Sequence, residues 1–368
     1  MRVICQDCGN TEAFDVRVFR CPCGGPWEPQ QSVDFDDSLI DQTTHGVWRY
    51  KNLLALNGIN SPVELGAGWT PLVETDWRDV SVFFKMEYLS PTGSFKDRGT
   101  EIEVSFLRAG GVNEVVEDSS GNAGASMAAY AARAGIQATI FAPESASPTK
   151  LAQIQIFGAN LKKIPGPRSE AARAVLKAAE DGAVYASHAY HPVYLLGQQT
   201  AAWEIWEQLG RQAPGAVVIP TGQGGLLLGI WFGFKRLMHS GLVEKIPKIF
   251  AVQPEIFSPI SEAFSKRRNE IKGFSPTARS IADGLAITQP VRGKRILQAL
   301  QESGGGALTA TEMEIENAYH ELAERGFFVE PTSAVAAAVL EKVFRQVGGD
   351  EEIVVPLTGS GLKSPVRL

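Results

Sequence analysis

Ser90-Pro91-Thr92-Gly93-Ser94-Phe95-Lys96-Asp97-Arg98-Gly99 follows the stretch Phe83-Phe84-Lys85-Met86-Glu87. A β-type run that passes through small polar residues into a helix start is the building unit of α/β sheets, and ligands gather where such strands end. Lys96 stands at the helix start between Phe95 and Asp97. Partial burial and the positive helix end there both oppose the ammonium form and lower its pKa. Two readings stay open on this loop alone: a helix-terminal lysine paired with Asp97, or a nucleophile toward an aldehyde.

Outward from this loop the pattern repeats. Short apolar runs at Val82 to Phe84, Glu114 to Glu117, Ala138 to Phe141, Asn160 to Ile164, Ala183 to Tyr185, Ala216 to Pro220, Lys248 to Val252 and Ile353 to Leu357 read as strands. Segments with helical spacing lie between them: Ala123 to Arg133, Pro148 to Phe157, Arg168 to Glu180, Leu195 to Leu209, Leu227 to Met238 and Thr311 to Arg325. Such alternation predicts an α/β fold with mostly parallel sheets. Before Thr70, the mixed polar and aromatic text from Trp27 to Gly68, broken by Pro29 and Pro62, reads as a connecting arm that wraps the main body.

Three further loops open into helices or follow strands. Ser119-Ser120-Gly121-Asn122-Ala123-Gly124 combines hydroxyls, an amide and helix-start N–H groups, suited to a carboxylate; a Ser/Asn cap on a tight turn is the plainer reading. Gly222-Gln223-Gly224-Gly225-Leu226 matches neither the Walker spacing nor GxGxxG, and its glycines let successive amides converge on a phosphate, which favours a monophosphate cofactor over a nucleotide. Thr358-Gly359-Ser360-Gly361 puts a hydroxyl at the end of the last strand, where it can serve a ligand or simply a turn.

Lysine, carboxylate loop, phosphate loop and strand-end hydroxyl occur here in the order found in fold type II pyridoxal-phosphate enzymes. Within that group the chain resembles the threonine synthases, through PTGSFKDRG, SSGNAG, PTGQGG, VEPTSAVAAA (Val329 to Ala338) and LTGSGLK (Leu357 to Lys363). The resemblance runs from about Thr70 to the C-terminus, and it implies a two-domain fold like the tryptophan synthase β chain. It implies that Lys96 carries the cofactor and that Asn122 meets the cofactor's 3′-oxygen. Gly222, Gln223, Gly224, Gly225 and Leu226 would cradle its phosphate, Thr358 would face the pyridine nitrogen, and Ser119, Ser120 and Ala123 would grip the substrate carboxylate. A neutral hydroxyl gives the ring no reason to stay protonated, which favours elimination and replacement over transamination. The implied reaction converts O-phospho-L-homoserine and water to L-threonine and phosphate.

The chain departs from that family where the leaving phosphate is usually held by basic and amide side chains. The stretch Ser187-His188-Ala189-Tyr190-His191-Pro192-Val193-Tyr194-Leu195-Leu196-Gly197-Gln198 has no arginine, and Tyr194 takes the arginine's place. His188 and Tyr194 are the substrate-side candidates there, although His188 and His191 also read as structural histidines. Gln223 and Leu226 stand where asparagines are common, Ser360 where His or Asn is frequent, and Ile281-Ala282-Asp283-Gly284-Leu285-Ala286 is similar to a segment of serine and threonine dehydratases. The competing expectations are therefore a serine/threonine dehydratase, a cysteate synthase-like β-replacement enzyme and, from another class, an inactive cofactor-binding scaffold.

All four cysteines lie in the first 23 residues, as Cys5-x-x-Cys8 and Cys21-x-Cys23, each pair followed by glycine. Such pairs suit a structural zinc ribbon, the alternative being a metal-free knuckle; four thiolates leave no open position for catalysis. The expected division is 1–29 as this head, 30–104 with 187–368 as a large cofactor domain, and 105–186 as a small α/β domain. A formal net charge of −6 offers no footprint for nucleic acid. The longest greasy run, Leu226 to Phe234, falls short of the roughly 18 residues of a membrane span. A cytoplasmic enzyme with a small amino-acid substrate is expected, and a homodimer by analogy with enzymes of this type.

Overall fold

The computed structural model describes residues 1–30, 34–54, 56, 58–146, 148–276, 278–348 and 351–364. They form two compact units: Met1–Gly68 with Ser90–Gln198, and Trp69–Leu89 with Gln199–Leu368. The head and the arm fall in one unit with residues 105–186.

The first unit opens with β1 (Arg2–Cys5), β2 (Thr11–Ala13) and β3 (Trp27–Pro29), an antiparallel sheet in the order β2-β1-β3. Trp27 and Glu28 thus belong to the head rather than to the arm. The arm itself carries short 3-10 turns at Asp37–Leu39 and Gly46–Leu53. The second unit opens with β4 (Leu72–Trp77) and β5 (Val80–Lys85), an antiparallel pair.

The chain then returns to the first unit as α1 (Lys96–Ala109), β6 (Glu114–Glu117), α2 (Asn122–Ala134), β7 (Gln137–Pro143), α3 (Pro148–Ile156), β8 (Asn160–Ile164) and α4 (Arg168–Glu180). Strands β6, β7 and β8 pair in parallel in that order. Backbone N–H groups of Leu65 and Ala67, in the arm, donate to the buried Glu101 carboxylate of α1 at 3.1 Å each. The arm is therefore fastened to the helix that begins with Lys96.

Helix α5 (Pro192–Gln208) leads into β9 (Ala216–Pro220), α6 (Gly225–His239), β10 (Lys248–Pro254), α7 (Pro259–Ser265), α8 (Gly293–Glu302) and β11 (Gly306–Ala310). Then follow α9 (Glu312–Glu324), α10 (Pro331–Ala337), α11 (Leu340–Val347) and β12 (Ile353–Pro356). The second unit's sheet has the order β11-β10-β9-β12-β5-β4, parallel throughout except for the edge strand β4. Its central strands, Ala-Val-Val-Ile-Pro in β9 and Ile-Val-Val-Pro in β12, are buried at every position, as strands covered on both faces must be.

This is the parallel-rich α/β architecture that the alternation predicts. The differences are local. Ala183 to Tyr185 is no strand: it makes one bridge, Tyr185 to Val116, because the turns at Asp181-Gly182 and at Ser187 leave a single residue to reach the ladder. Strands β4 and β11 had no counterpart among the expected runs, since Leu-Val-Glu-Thr-Asp-Trp and Gly-Ala-Leu-Thr-Ala are too polar or too small to stand out. Helix α9 is framed by a reciprocal cap, with Thr311 and Glu314 each bonding the other's backbone, which explains its sharp start.

Candidate active site

In the first unit Lys96 is the first residue of α1, its ammonium 4.5 Å from the centroid of the Phe95 ring. The loop before it is held by the next residue. Fully buried Asp97 accepts from Thr92 N and Thr92 Oγ1, at 2.6 Å each, and from Ser126 Oγ of α2 at 2.6 Å. Asp97 is thereby occupied in three hydrogen bonds that anchor the lysine's loop to α2.

Helix α2 starts at Asn122 with Gly121 as its cap residue and no side-chain cap. Its positive end therefore faces the Ser119–Gly121 turn, with Ser119 Oγ accepting from Gly121 N at 3.3 Å. A Cβ on Gly124 would overlap the Ser119 carbonyl oxygen, so only glycine lets this turn fold back on its own helix.

Beside this loop, β6 ends on Glu117, whose Oε1 lies 2.7 Å from His188 Nδ1. The carboxylate side chain is 1% exposed and the imidazole 9%. Burial drives Glu117 well above the usual carboxylate range, reinforced by the neighbouring carboxyl groups of Asp118 and Glu103. Burial likewise holds His188 well below the usual histidine range, with the positive Lys96 and Arg168 acting in the same sense. Tyr194 sits edge-on to His188 with ring centroids 6.3 Å apart, is fully buried, and packs against Gly99, one turn after Lys96. The structure thus gathers Lys96, the 119–124 loop, His188 and Tyr194 within one unit.

In the second unit Gly224 caps α6 with φ +80°, a left-handed conformation suited to glycine. A Cβ there would also overlap Ile296 of α8. Among the described residues the N–H groups from Gly222 to Leu227 donate to no group of the chain, and no side chain caps the helix. A bare cluster of amides at a positive helix end is the arrangement that receives a phosphate. The Gln223 side chain is anchored through its Oε1, which accepts from Val291 N at 3.0 Å. Leu226 is buried. Gly222 rests against Gly284 and Ile287, which places the Ile281 to Ala286 segment under the glycine turn.

Thr358 is 2% exposed at the end of β12, its Oγ1 3.1 Å from Ser333 Oγ of α10. Ser333 also accepts from Gly359 N at 2.9 Å. No local sequence signal marks Ser333, Glu117 or Ser126 as site-forming residues. Ser333 does lie in the Val329 to Ala338 stretch, but nothing local marks its hydroxyl as the partner of Thr358.

In the head, Cys5 Sγ lies 3.5 Å from Cys23 Sγ and Cys8 Sγ 3.6 Å from Cys21 Sγ, and all four sulfurs fall within 4.8 Å of one another. These separations are too long for disulfides. They bracket the edge of about 3.8 Å that a tetrahedral zinc with roughly 2.3 Å bonds requires. No described helix is long and apolar enough to cross a membrane.

Against this geometry the comparisons with known proteins are consistent. Residues 63–359 match the family model described as pyridoxal-phosphate dependent enzyme. A threonine synthase of Methanocaldococcus jannaschii is 36% identical over 98% of this chain and 92% of its own. A threonine synthase of Methanosarcina acetivorans is 32% identical with the same coverage of each. Among solved structures, a threonine deaminase from T.th. superposes with a TM-score of 0.70 at 26% identity, covering 81% of this chain and 94% of that one. The bare amide cradle and the lysine at a helix start fit the cofactor of that family. The chain therefore belongs to the pyridoxal-phosphate-dependent enzymes, within the threonine synthase family of fold type II lyases.

Proposed function

We propose that the protein converts O-phospho-L-homoserine and water to L-threonine and phosphate. The observation that carries this reading is the 36% identity to a threonine synthase along 98% of the chain. Pyridoxal phosphate, when bound, supplies an electron sink for the bonds at an amino acid's α-carbon. The chain's residues do the rest. Lys96 attaches the cofactor and then moves protons at the substrate's carbons. The amides of Gly222, Gln223, Gly224, Gly225 and Leu226 hold the cofactor phosphate, Asn122 its 3′-oxygen and Thr358 its ring nitrogen. Ser119, Ser120 and Ala123 hold the substrate carboxylate, with His188 and Tyr194 on the side of the leaving group. The division into 1–29, 30–104 with 187–368, and 105–186 follows the same reading, as do a homodimer and a cytoplasmic location.

A second reading, elimination from serine or threonine or β-replacement in the manner of a cysteate synthase, is favoured by one feature: Tyr194 occupies the arginine's place and the 187–198 stretch holds no arginine or lysine. A substrate panel decides. Threonine and phosphate formed together from O-phosphohomoserine support the first reading. Formation of 2-oxobutyrate from threonine alone, or turnover only with a sulfur nucleophile, rejects it.

Two variants test the parts. Gly124→Ala is expected to displace the Ser119 to Asn122 turn and to lower kcat/KM about 10²-fold, the scale of a misplaced binding group. A variant with unaltered kinetics would remove that turn from the substrate site. We also assign one structural zinc to Cys5, Cys8, Cys21 and Cys23. Metal analysis should find about one zinc per chain, as expected of a four-thiolate site, and Cys8→Ser should lose it and melt at a lower temperature. A metal-free wild type would reject the assignment.

A further inference from the structure

We infer that Glu117 and His188 form a proton-delivering pair, in which His188 Nε2 protonates the substrate's leaving group and Glu117 resupplies the imidazole through Nδ1. The inference rests on the reading that this enzyme expels a group from an amino acid held by the cofactor that Lys96 otherwise carries. It does not depend on which group leaves.

The pair is built to be rigid. Val116 donates its N–H to Val184 O and accepts from Ala186 N, at 2.9 and 3.0 Å, so the end of β6 and the segment leading to His188 are laced together. Ser187 Oγ then accepts from the N–H groups of Ala189 and Tyr190, which fixes the turn on which His188 sits. Glu117 is enclosed, whereas the imidazole keeps a fraction of its surface open. Among the described residues its Nε2 bonds to no group of the chain.

The groups that act on the pair are Lys96 and Glu103 from α1, Asp118 beside Glu117, Arg168 from α4 and Tyr194 from α5. Burial disfavours charge on both members. The neutral pair holds two protons: one on the Glu117 carboxyl, donated to Nδ1, and one on Nε2, because a neutral imidazole that accepts at one nitrogen carries its proton on the other. The ring therefore presents an N–H outward. When Nε2 gives up this proton, Nδ1 takes the one from Glu117, and the negative charge comes to rest on a buried carboxylate within the influence of the positive Arg168.

Such a donor answers a chemical need. A phosphate ester dianion that departs by cleavage of its carbon–oxygen bond would leave as a trianion, and a hydroxyl would leave as hydroxide. In either case the oxygen keeps the electron pair of the broken bond and takes one proton from Nε2. In the synthase reaction the water that adds at the β-carbon returns one proton, which restores the pair and closes the balance. With Tyr194 where an arginine would neutralise the phosphate, proton delivery takes over that task.

The test compares leaving groups in the cofactor-loaded full-length enzyme. With O-phosphohomoserine or threonine, whichever the wild type turns over, His188→Asn and Glu117→Gln should lower kcat about 10²-fold or more, the range of a lost general acid. With β-chloroalanine, whose chloride needs no proton, the same variants should stay within about threefold of wild type on that scale. Equal losses with both kinds of substrate would reduce the pair to a structural role, and no loss with either would also overturn the proposal. A reading independent of turnover is the ¹⁵N spectrum of the imidazoles, with the His188 signals identified by their disappearance in His188→Asn. Between about pH 6 and 8, where an ordinary histidine titrates, Nε2 should be protonated and Nδ1 not; the reverse pattern rejects the mechanism. If the wild type makes no threonine from O-phosphohomoserine but eliminates from threonine, the synthase reading falls while the pair is still judged by the leaving-group comparison.

Discussion

Lys96→Ala is expected to abolish turnover, by about three orders of magnitude or more, the scale on which loss of a covalent catalyst is felt. The purified variant should also lose the visible absorbance of the wild type, since no other amine stands at this helix start. The position of the side chain explains why the loss should be specific. Lys96 opens α1, while the fold of its loop depends on Asp97, whose three hydrogen bonds to Thr92 and Ser126 do not involve the lysine side chain. The variant should therefore keep wild-type stability in a urea titration. A coloured, active Lys96→Ala protein would dismantle the functional reading.

Lys85→Met should do the opposite. Lys85 is fully buried in the second unit, and its ammonium donates to Thr70 O at 2.6 Å, Glu204 Oε2 at 2.9 Å and Gln208 Oε1 at 2.8 Å. Glu204 in turn accepts from Trp69 N at 2.7 Å, and Gln208 Nε2 donates to Thr70 O at 3.0 Å. Every proton of this ammonium is committed, so Lys85 has no amine to offer an aldehyde despite its apolar setting after Phe83 and Phe84. Removal of the charge leaves Glu204 buried without its counter-ion, which costs about 3–5 kcal/mol when one partner of a buried pair is lost. A shift in the urea midpoint worth less than about 1 kcal/mol, the worth of an exposed pair, would show that the pair is not a buried one. Lys85→Met together with Glu204→Leu should recover much of the loss, because two well-packed apolar groups can replace a buried ion pair.

The comparison of the two lysines shows how far local text reaches. Both follow or enter apolar stretches, and both are candidates by composition. What separates them in the sequence is the setting of Lys96, a small-residue loop that turns into a helix, and that setting was legible because glycines, hydroxyls and helix starts act on their immediate neighbours. The same locality made the 119–124 and 222–225 turns readable, and it explains why Glu114–Glu117, Asn160–Ile164 and Ala216–Pro220 emerge with the expected bounds.

The silent parts are those that need a distant partner. Glu117 looked like the end of a strand until His188, 71 residues on, closed to 2.7 Å. The Lys85 ion pair spans 119 residues and the bond from Ser126 to Asp97 spans 29. By itself the sequence determined most of the alternation of strands, loops and helices, the lysine at a helix start and the clustered cysteines, since each is set by residues adjacent in the chain. Which carboxylates are neutralised, which histidine carries a proton outward and which lysine is tied down was decided only by the tertiary structure, because burial and pairing change the free energy of a charge and neither is a property of neighbours in sequence.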